Sequence, residues 1–104
     1  MSYSEAKKYY DDSRKISEDY VKEFGTKESF RSCAISYEKL GDIYMAQNDL
    51  TRAYMYYEIS CHTFETLLSQ NNTTMFKRDV SIIYNKLGDL DNFALFIIFS
   101  NSFK

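Results

Sequence analysis

Few side chains in this 104-residue sequence are of types that could do chemistry. His62 is the one histidine, and Cys33 and Cys61 are the two cysteines. A lone histidine, with no second one at ligand spacing, does not indicate a metal site. A Cys–His nucleophile would also need an orienting acid and an oxyanion site, and no motif supplies them. We therefore expect no enzyme activity, no catalytic residue, no metal and no cofactor.

The remaining sequence signals argue against most specialised partners. The three glycines are isolated, so there is no phosphate-binding loop. The net charge is -2, with 13 basic and 15 acidic residues and no long block of like charge, so we expect no nucleic-acid partner. The longest apolar run, Phe93 to Phe99, is far shorter than the roughly 20 residues that span a bilayer. Asn71-Asn72-Thr73 matches a glycosylation acceptor, but the first residues show no apolar signal-peptide core. We expect a cytoplasmic protein, no membrane partner, and buried thiols.

Composition and spacing predict an all-α fold of four or five helices. Proline is absent, which favours long helices. Apolar residues recur at three-four spacing over about residues 4–24, 27–47 and 50–70, and again from about residue 74. The breaks between them carry turn and capping residues: Gly25-Thr26, Asn48-Asp49 and Asn71 to Thr74.

Two stretches of the chain are near copies, 47 residues apart. Residues 31–42 read RSCAISYEKLGD and residues 78–89 read RDVSIIYNKLGD, with seven of twelve positions identical. Ala6, Tyr10 and Ser13 likewise lie 47 residues before Ala53, Tyr57 and Ser60. A period of 20 to 50 residues indicates stacked helical repeats, which bury their apolar faces against one another.

The stretch from Tyr37 to Ser60 resembles a tetratricopeptide repeat. That family's pattern has a large aromatic residue, then Leu-Gly, then Tyr, followed in the partner helix by a small residue, an aromatic residue and another small one. The matching residues here are Tyr37, Leu40, Gly41, Tyr44, Ala53, Tyr57 and Ser60, with Ala6 and Tyr10 closing an earlier copy and Tyr84, Leu87 and Gly88 opening a later one. We expect these residues to be packing positions where paired helices approach closely.

The resemblance implies antiparallel helix hairpins stacked in a right-handed superhelix. We expect one domain over residues 1–104, with a partial repeat at 1–25, a full repeat at 28–70 and a degenerate repeat at 74–104. The period of 47 exceeds the family's usual length of about 34, so we expect longer helices. The proline that commonly ends the second helix is also missing.

The resemblance also implies a function, namely a protein–protein interaction scaffold. Family members mostly bind peptides on the concave face formed by the first helix of each repeat. The residues expected on that face are Glu38, Asp42, Met45, Asn85 and Asp89. Their acidic character predicts a basic or neutral peptide or partner helix, and a solvated acidic face without a ligand is an equal alternative.

The last segment supports an alternative function, a structural module that associates with itself. Phe93, Phe96, Ile97 and Phe99 belong to a run that is apolar all round a helix and would have to be covered on several sides. This predicts either a final helix whose outer side meets another chain, in a homodimer or an end-to-end stack, or a folded-back second helix in a monomer.

Overall fold

The computed structural model of the chain describes residues 2–102, without the side chains of residues 98, 99, 101 and 102. It contains four helices: α1 (Tyr3–Phe24), α2 (Lys27–Ala46), α3 (Leu50–Gln70) and α4 (Thr74–Ser102). No strand occurs in the described part of the chain. The all-α prediction is confirmed.

Each helix begins at a side chain that caps its free backbone N–H groups. The hydroxyl of Ser2 accepts from the N–H of Glu5 at 3.2 Å, and Thr26 accepts from Ser29 at 3.1 Å. Asp49 and Thr73 cap α3 and α4 in the same way, each at 3.2 Å. Such caps are worth about 1 kcal/mol each, and they explain why the helix starts agree with the sequence pattern to within a residue.

Two residues with positive φ end the first two helices. Gly25 has φ 59° and its N–H donates to the carbonyl of Val21, a left-handed cap that glycine adopts without a Cβ penalty. Asn48 has φ 63° in the turn between α2 and α3. Asparagine is one of the few other residues that tolerate this region.

Of the four or five helices expected, the described residues form four, because the C-terminal segment continues α4 without a break. The residue that lies 47 positions after Asn48 is Leu95. Leucine does not readily take the left-handed conformation that lets Asn48 end α2. With no glycine, proline or cap at that point, α4 runs for 29 residues to Ser102.

The helices stack in chain order, and each packs mainly against its neighbours along the sequence. Ser60 of α3 contacts Ala34 of α2, while Tyr57 contacts Asp42, so the two helices run antiparallel. The described chain measures 53 × 32 × 19 Å with a radius of gyration of 15.1 Å. A compact domain of this size would have about 13 Å, so the stack is elongated.

The sequence period is also a period of contacts. The hydroxyl of Tyr37 in α2 donates to the Glu18 carboxylate in α1. The same residue pair recurs 47 residues later, where the Tyr84 hydroxyl in α4 donates to Oε2 of Glu65 in α3 at 2.6 Å. The α1–α2 and α3–α4 pairs are therefore structural copies at this contact.

The apolar core lies between α2, α3 and α4. Its most deeply buried members, each at most 2% exposed, are Ala34, Leu40, Ala53, Phe64, Phe76, Ile83 and Leu90. Helix α1 has no buried residue and covers one side of α2 as a more polar outer layer.

Candidate interaction surface

Helices α2 and α3 approach each other closely at Gly41. A Cβ atom on Gly41 would lie 2.6 Å from the ring of Tyr57 in α3, well inside van der Waals contact. Tyr57 is 3% exposed, and its hydroxyl donates to Oδ1 of Asp42 at 2.6 Å. Burial and this hydrogen bond both raise the pKa of Tyr57. The absence of a side chain at Gly41 therefore leaves room for the Tyr57 ring, whose hydroxyl is held by Asp42.

Aromatic side chains extend this contact between α2 and α3. The ring of Tyr56 stacks on Tyr44 with a centroid distance of 5.4 Å and lies 5.8 Å from the ring of Tyr37. Ala53 is fully buried, and the hydroxyl of Ser60 donates to the carbonyl of Ala34 at 2.8 Å. Leu40 is buried as well, so the residues of the full repeat lie together at this interface.

The residues of α1 and α4 that match the repeat pattern are less buried than those of α2 and α3. Ala6 and Tyr10 in α1 are only half-buried, as is Leu87 in α4. The pattern predicts packing at Tyr84 and Gly88 too, but Tyr84 is 50% exposed. A Cβ atom on Gly88 would meet nothing within 4 Å. The reason is topological, because no second helix follows α4 within residues 2–102.

A cluster of charges ties α2 to α4. The Lys86 ammonium lies 2.6 Å from Oε2 of Glu38 and 2.9 Å from Oδ2 of Asp42. Burial alone would lower the pKa of Lys86, but the hydrogen bonds to the two carboxylates outweigh it and raise the pKa. The ammonium thus holds together two acids that would otherwise repel each other.

A second ion pair links the other end of the same two helices. Nε of Arg31 lies 2.7 Å from Oδ2 of Asp79, and its second contact, from Nη2 to Oδ1, is 3.1 Å. This two-point geometry is the strong form of an arginine–carboxylate pair. The Asp79 hydrogen bond raises the pKa of Arg31. Together with Lys86, the pair sets α2 and α4 in one register.

These contacts determine how available the five residues expected on the concave face are to a ligand. Glu38 is 8% exposed and joins the Lys86 cluster, so it does not present a bare carboxylate to a ligand. Asp42 is half-buried between Lys86 and Tyr57. Asn85 and Asp89 are exposed on α4, and Met45 is half-buried on α2.

Sequence reasoning missed Lys86, Arg31 and Asp79 as members of this surface. Each ion pair joins residues 44 to 48 positions apart, which is close to the repeat period. Because residues one period apart lie side by side in a stack of repeats, opposite charges near that separation were the signal that could have found them.

The two thiols are poor candidates for chemistry. Both cysteines are free. Burial, followed by the nearby Glu65 carboxylate, raises the pKa of Cys61 to about 12. Burial also raises the pKa of Cys33. Since the thiolate is the reactive form, both shifts disfavour reactivity of these sulfurs at neutral pH.

His62 lies on the surface of α3, beside a pocket of about 290 Å³ that Phe30 and Leu67 also line. Over residues 2–102, no group of three or more His, Cys, Asp and Glu side chains is placed to hold a metal ion. None of the helices in the described part of the chain combines the length and apolar character that crossing a membrane requires.

The C-terminal apolar residues are distributed around the end of α4. Phe93 and Ile97 are half-buried, whereas Leu95 is 51% and Phe96 is 66% exposed. The side chain of Phe99, which the sequence suggests for self-association, lies outside the described residues.

Comparisons of this chain with protein-family models, with curated proteins and with solved structures found no match.

Proposed function

We propose that this chain is a protein-interaction scaffold, a tetratricopeptide-like stack of helix hairpins in a right-handed superhelix. The observation that carries the proposal is the repetition of the same tyrosine–glutamate contact at the 47-residue period, in Tyr37–Glu18 and Tyr84–Glu65. Stacks of this kind present one long continuous surface built from equivalent helices. Here, those equivalent helices are α2 and α4.

The partner is a basic or neutral peptide or helix that lies along the α2–α4 face. The Lys86 cluster contains two carboxylates and one ammonium, so one negative charge remains. Asp89, exposed on α4, adds a second. If the offsets of 48 and 44 residues in the contacts of Lys86 with Glu38 and Asp42 continue along the two helices, Met45 lies level with residues 89–93. Its flexible side chain there suits an adaptable apolar contact.

The test is a titration with two labelled peptides of equal length, one rich in lysine and one rich in glutamate. The lysine peptide should bind more tightly, and its affinity should fall with added salt because exposed charges are screened. Asp89→Lys should weaken binding severalfold, while Asp19→Lys, on the exposed surface of α1, should not. Preference for the glutamate peptide, or equal effects of the two substitutions, would contradict the proposal.

A further inference from the structure

A groove of about 410 Å³ lies between α1 and α2. The residues that line it are Tyr9, Tyr10, Ser13, Ser17, Ser32, Ile35, Ser36 and Lys39. The residues 47 positions later are Tyr56, Tyr57, Ser60, Phe64, Asp79, Ile82, Ile83 and Lys86. The groove between α1 and α2 thus has a counterpart between α3 and α4.

That counterpart is occupied by α2. The side chains of Tyr57, Ser60, Asp79 and Lys86 all contact α2, through hydrogen bonds and ion pairs of 2.6 to 3.1 Å. Their α2 partners are Asp42, Ala34, Arg31 and Glu38. The α1–α2 groove is therefore shaped for a helix that carries the pattern of α2.

The one described helix that repeats this pattern is α4, and its matching face is uncovered. Gly88 stands where α2 has Gly41, and Asp89 stands where α2 has Asp42. Asp89 is exposed, and the space over Gly88 is open. One end of the stack thus carries an unfilled groove, and the other end carries a helix that matches it.

We propose that copies of this chain associate head to tail, with α4 of one copy in the α1–α2 groove of the next. Tyr10 of the second copy then covers Gly88 as Tyr57 covers Gly41, and its hydroxyl donates to Asp89. Lys39 of the second copy, which corresponds to Lys86, pairs with the same carboxylate. The opposite charges and the glycine–tyrosine fit select a second copy as the occupant.

The proposed contact between two copies is weaker than the contact of α2 with the groove between α3 and α4. Ser32, Ser17 and Ser36 stand in the empty groove where the internal contact has Asp79, Phe64 and Ile83, and Asn85 of α4 stands where α2 has Glu38. Two ion pairs and two large apolar side chains are therefore missing. Assembly should therefore depend on concentration. Because the two surfaces differ, the contact is heterologous and generates extended assemblies unless the rotation happens to close a ring.

Sedimentation velocity of the full chain over a concentration series tests the proposal. The wild-type chain should grow from a 12.3 kDa monomer to larger species. Gly88→Leu should abolish growth, because its side chain fills the place of the incoming Tyr10 ring. Lys39→Glu should abolish it too, because it opposes Asp89. Thermal melts of both variants show whether the monomer remains folded.

Mixing the two variants gives the sharper result. The Gly88→Leu chain keeps an intact groove, and the Lys39→Glu chain keeps an intact α4. An equimolar mixture should therefore form a one-to-one dimer and nothing larger, although each variant alone is monomeric. A wild-type chain that stays monomeric throughout would overturn the proposal. So would growth that survives both substitutions and is lost in Phe96→Glu, which would place the contact at the exposed end of α4.

The proposed head-to-tail association is a separate property from peptide binding, and either proposal can be wrong while the other holds. The Gly88→Leu chain retains Met45 and Asp89, so the peptide titration can be repeated on it without self-association. Binding of the lysine peptide to that monomer supports the scaffold whatever the assembly result is.

Discussion

Gly41 and Gly88 occupy the same place in two copies of one repeat, yet their surroundings are opposite. Gly41 lies under the Tyr57 ring, and no atom outside its own helix comes within 4 Å of a Cβ on Gly88. Both are followed by aspartate, but Asp42 is held by Tyr57 and Lys86 whereas Asp89 is exposed. The comparison teaches that the repeat pattern specifies a helix face, and that only the neighbouring helix makes it a core.

The largest expected difference between the two glycines comes from placing the same large side chain at both positions. Gly41→Leu should lower the free energy of unfolding by on the order of 1–3 kcal/mol, because the buried Tyr57 ring has no room to move. Gly88→Leu should leave stability unchanged or raise it by up to about 1 kcal/mol, since it replaces glycine inside a helix. Urea unfolding at low protein concentration measures both.

Equal losses at the two positions would show that the close approach is not what requires Gly41. Gly41→Ala is a useful intermediate, since it adds only the Cβ that would lie 2.6 Å from the Tyr57 ring. Its cost should fall below that of leucine but remain above that of Gly88→Ala.

A second comparison sets Lys86 against Lys39, its counterpart one period earlier. Lys86 holds Glu38 and Asp42, whereas Lys39 has no acidic partner within 4.0 Å among the described residues. Lys86→Met should cost about 1–2 kcal/mol, because Glu38 loses its partner while largely buried. This is less than the roughly 3–5 kcal/mol for breaking a fully buried pair, because Lys86 and Asp42 remain partly exposed. Lys39→Met is the matched control and should be close to neutral in the monomer.

The pH dependence of this pair has a definite sign. The folded-state pKa of Lys86 is raised above its ordinary value of 10.5, so its stabilising contribution is complete below pH 10.5 and is lost as the pH rises through the folded pKa. The stability difference between wild type and Lys86→Met should therefore shrink above pH 10.5. A difference that grows in that range would contradict the assigned ion pair.

The helices could be predicted from sequence because their boundaries rest on local chemistry. Thr26, Asp49 and Thr73 are caps, and Gly25 and Asn48 provide left-handed turns, all of which are visible in a short window. The continuation of α4 depends on Leu95 standing where Asn48 ends α2. Predicting this continuation from the sequence requires extending the 47-residue period past residues 78–89, where the two copies match best.

The candidate surface was less predictable because it depends on the register between helices. Glu38 and Asp42 could be placed on one face of α2 by their spacing. Whether that face meets solvent, a ligand or Lys86 depends on how α4 lies beside it, and an amphipathic pattern within one helix carries no such information.

The smallest expected effect compares the two copies of the tyrosine–glutamate contact. Tyr37 is half-buried, and burial with the Glu18 hydrogen bond raises its pKa to about 12. Tyr84 makes the same contact with Glu65 but is 50% exposed, so water competes for its hydroxyl. Tyr37→Phe should cost about 1 kcal/mol, the net value of one hydrogen bond, and Tyr84→Phe should cost less. Thermal or urea unfolding of the two single variants measures the difference.

The pH dependence of stability extends this last comparison, because the hydrogen bond between Tyr37 and Glu18 should stop stabilising the fold at both low and high pH. The raised pKa of Tyr37 makes its contribution complete below its ordinary pKa of 10.0 and lost as the pH approaches about 12. Its hydrogen bond also lowers the pKa of Glu18 below 4.5, so that contribution is present above pH 4.5 and is lost as the pH falls through the folded pKa. The stability gap between wild type and Tyr37→Phe should therefore be widest between these limits, and within them the gap for Tyr84→Phe should be narrower. If the two gaps were equal, solvent exposure would not be what separates the copies, and the difference between the inner and outer repeats would have to rest on helix packing alone.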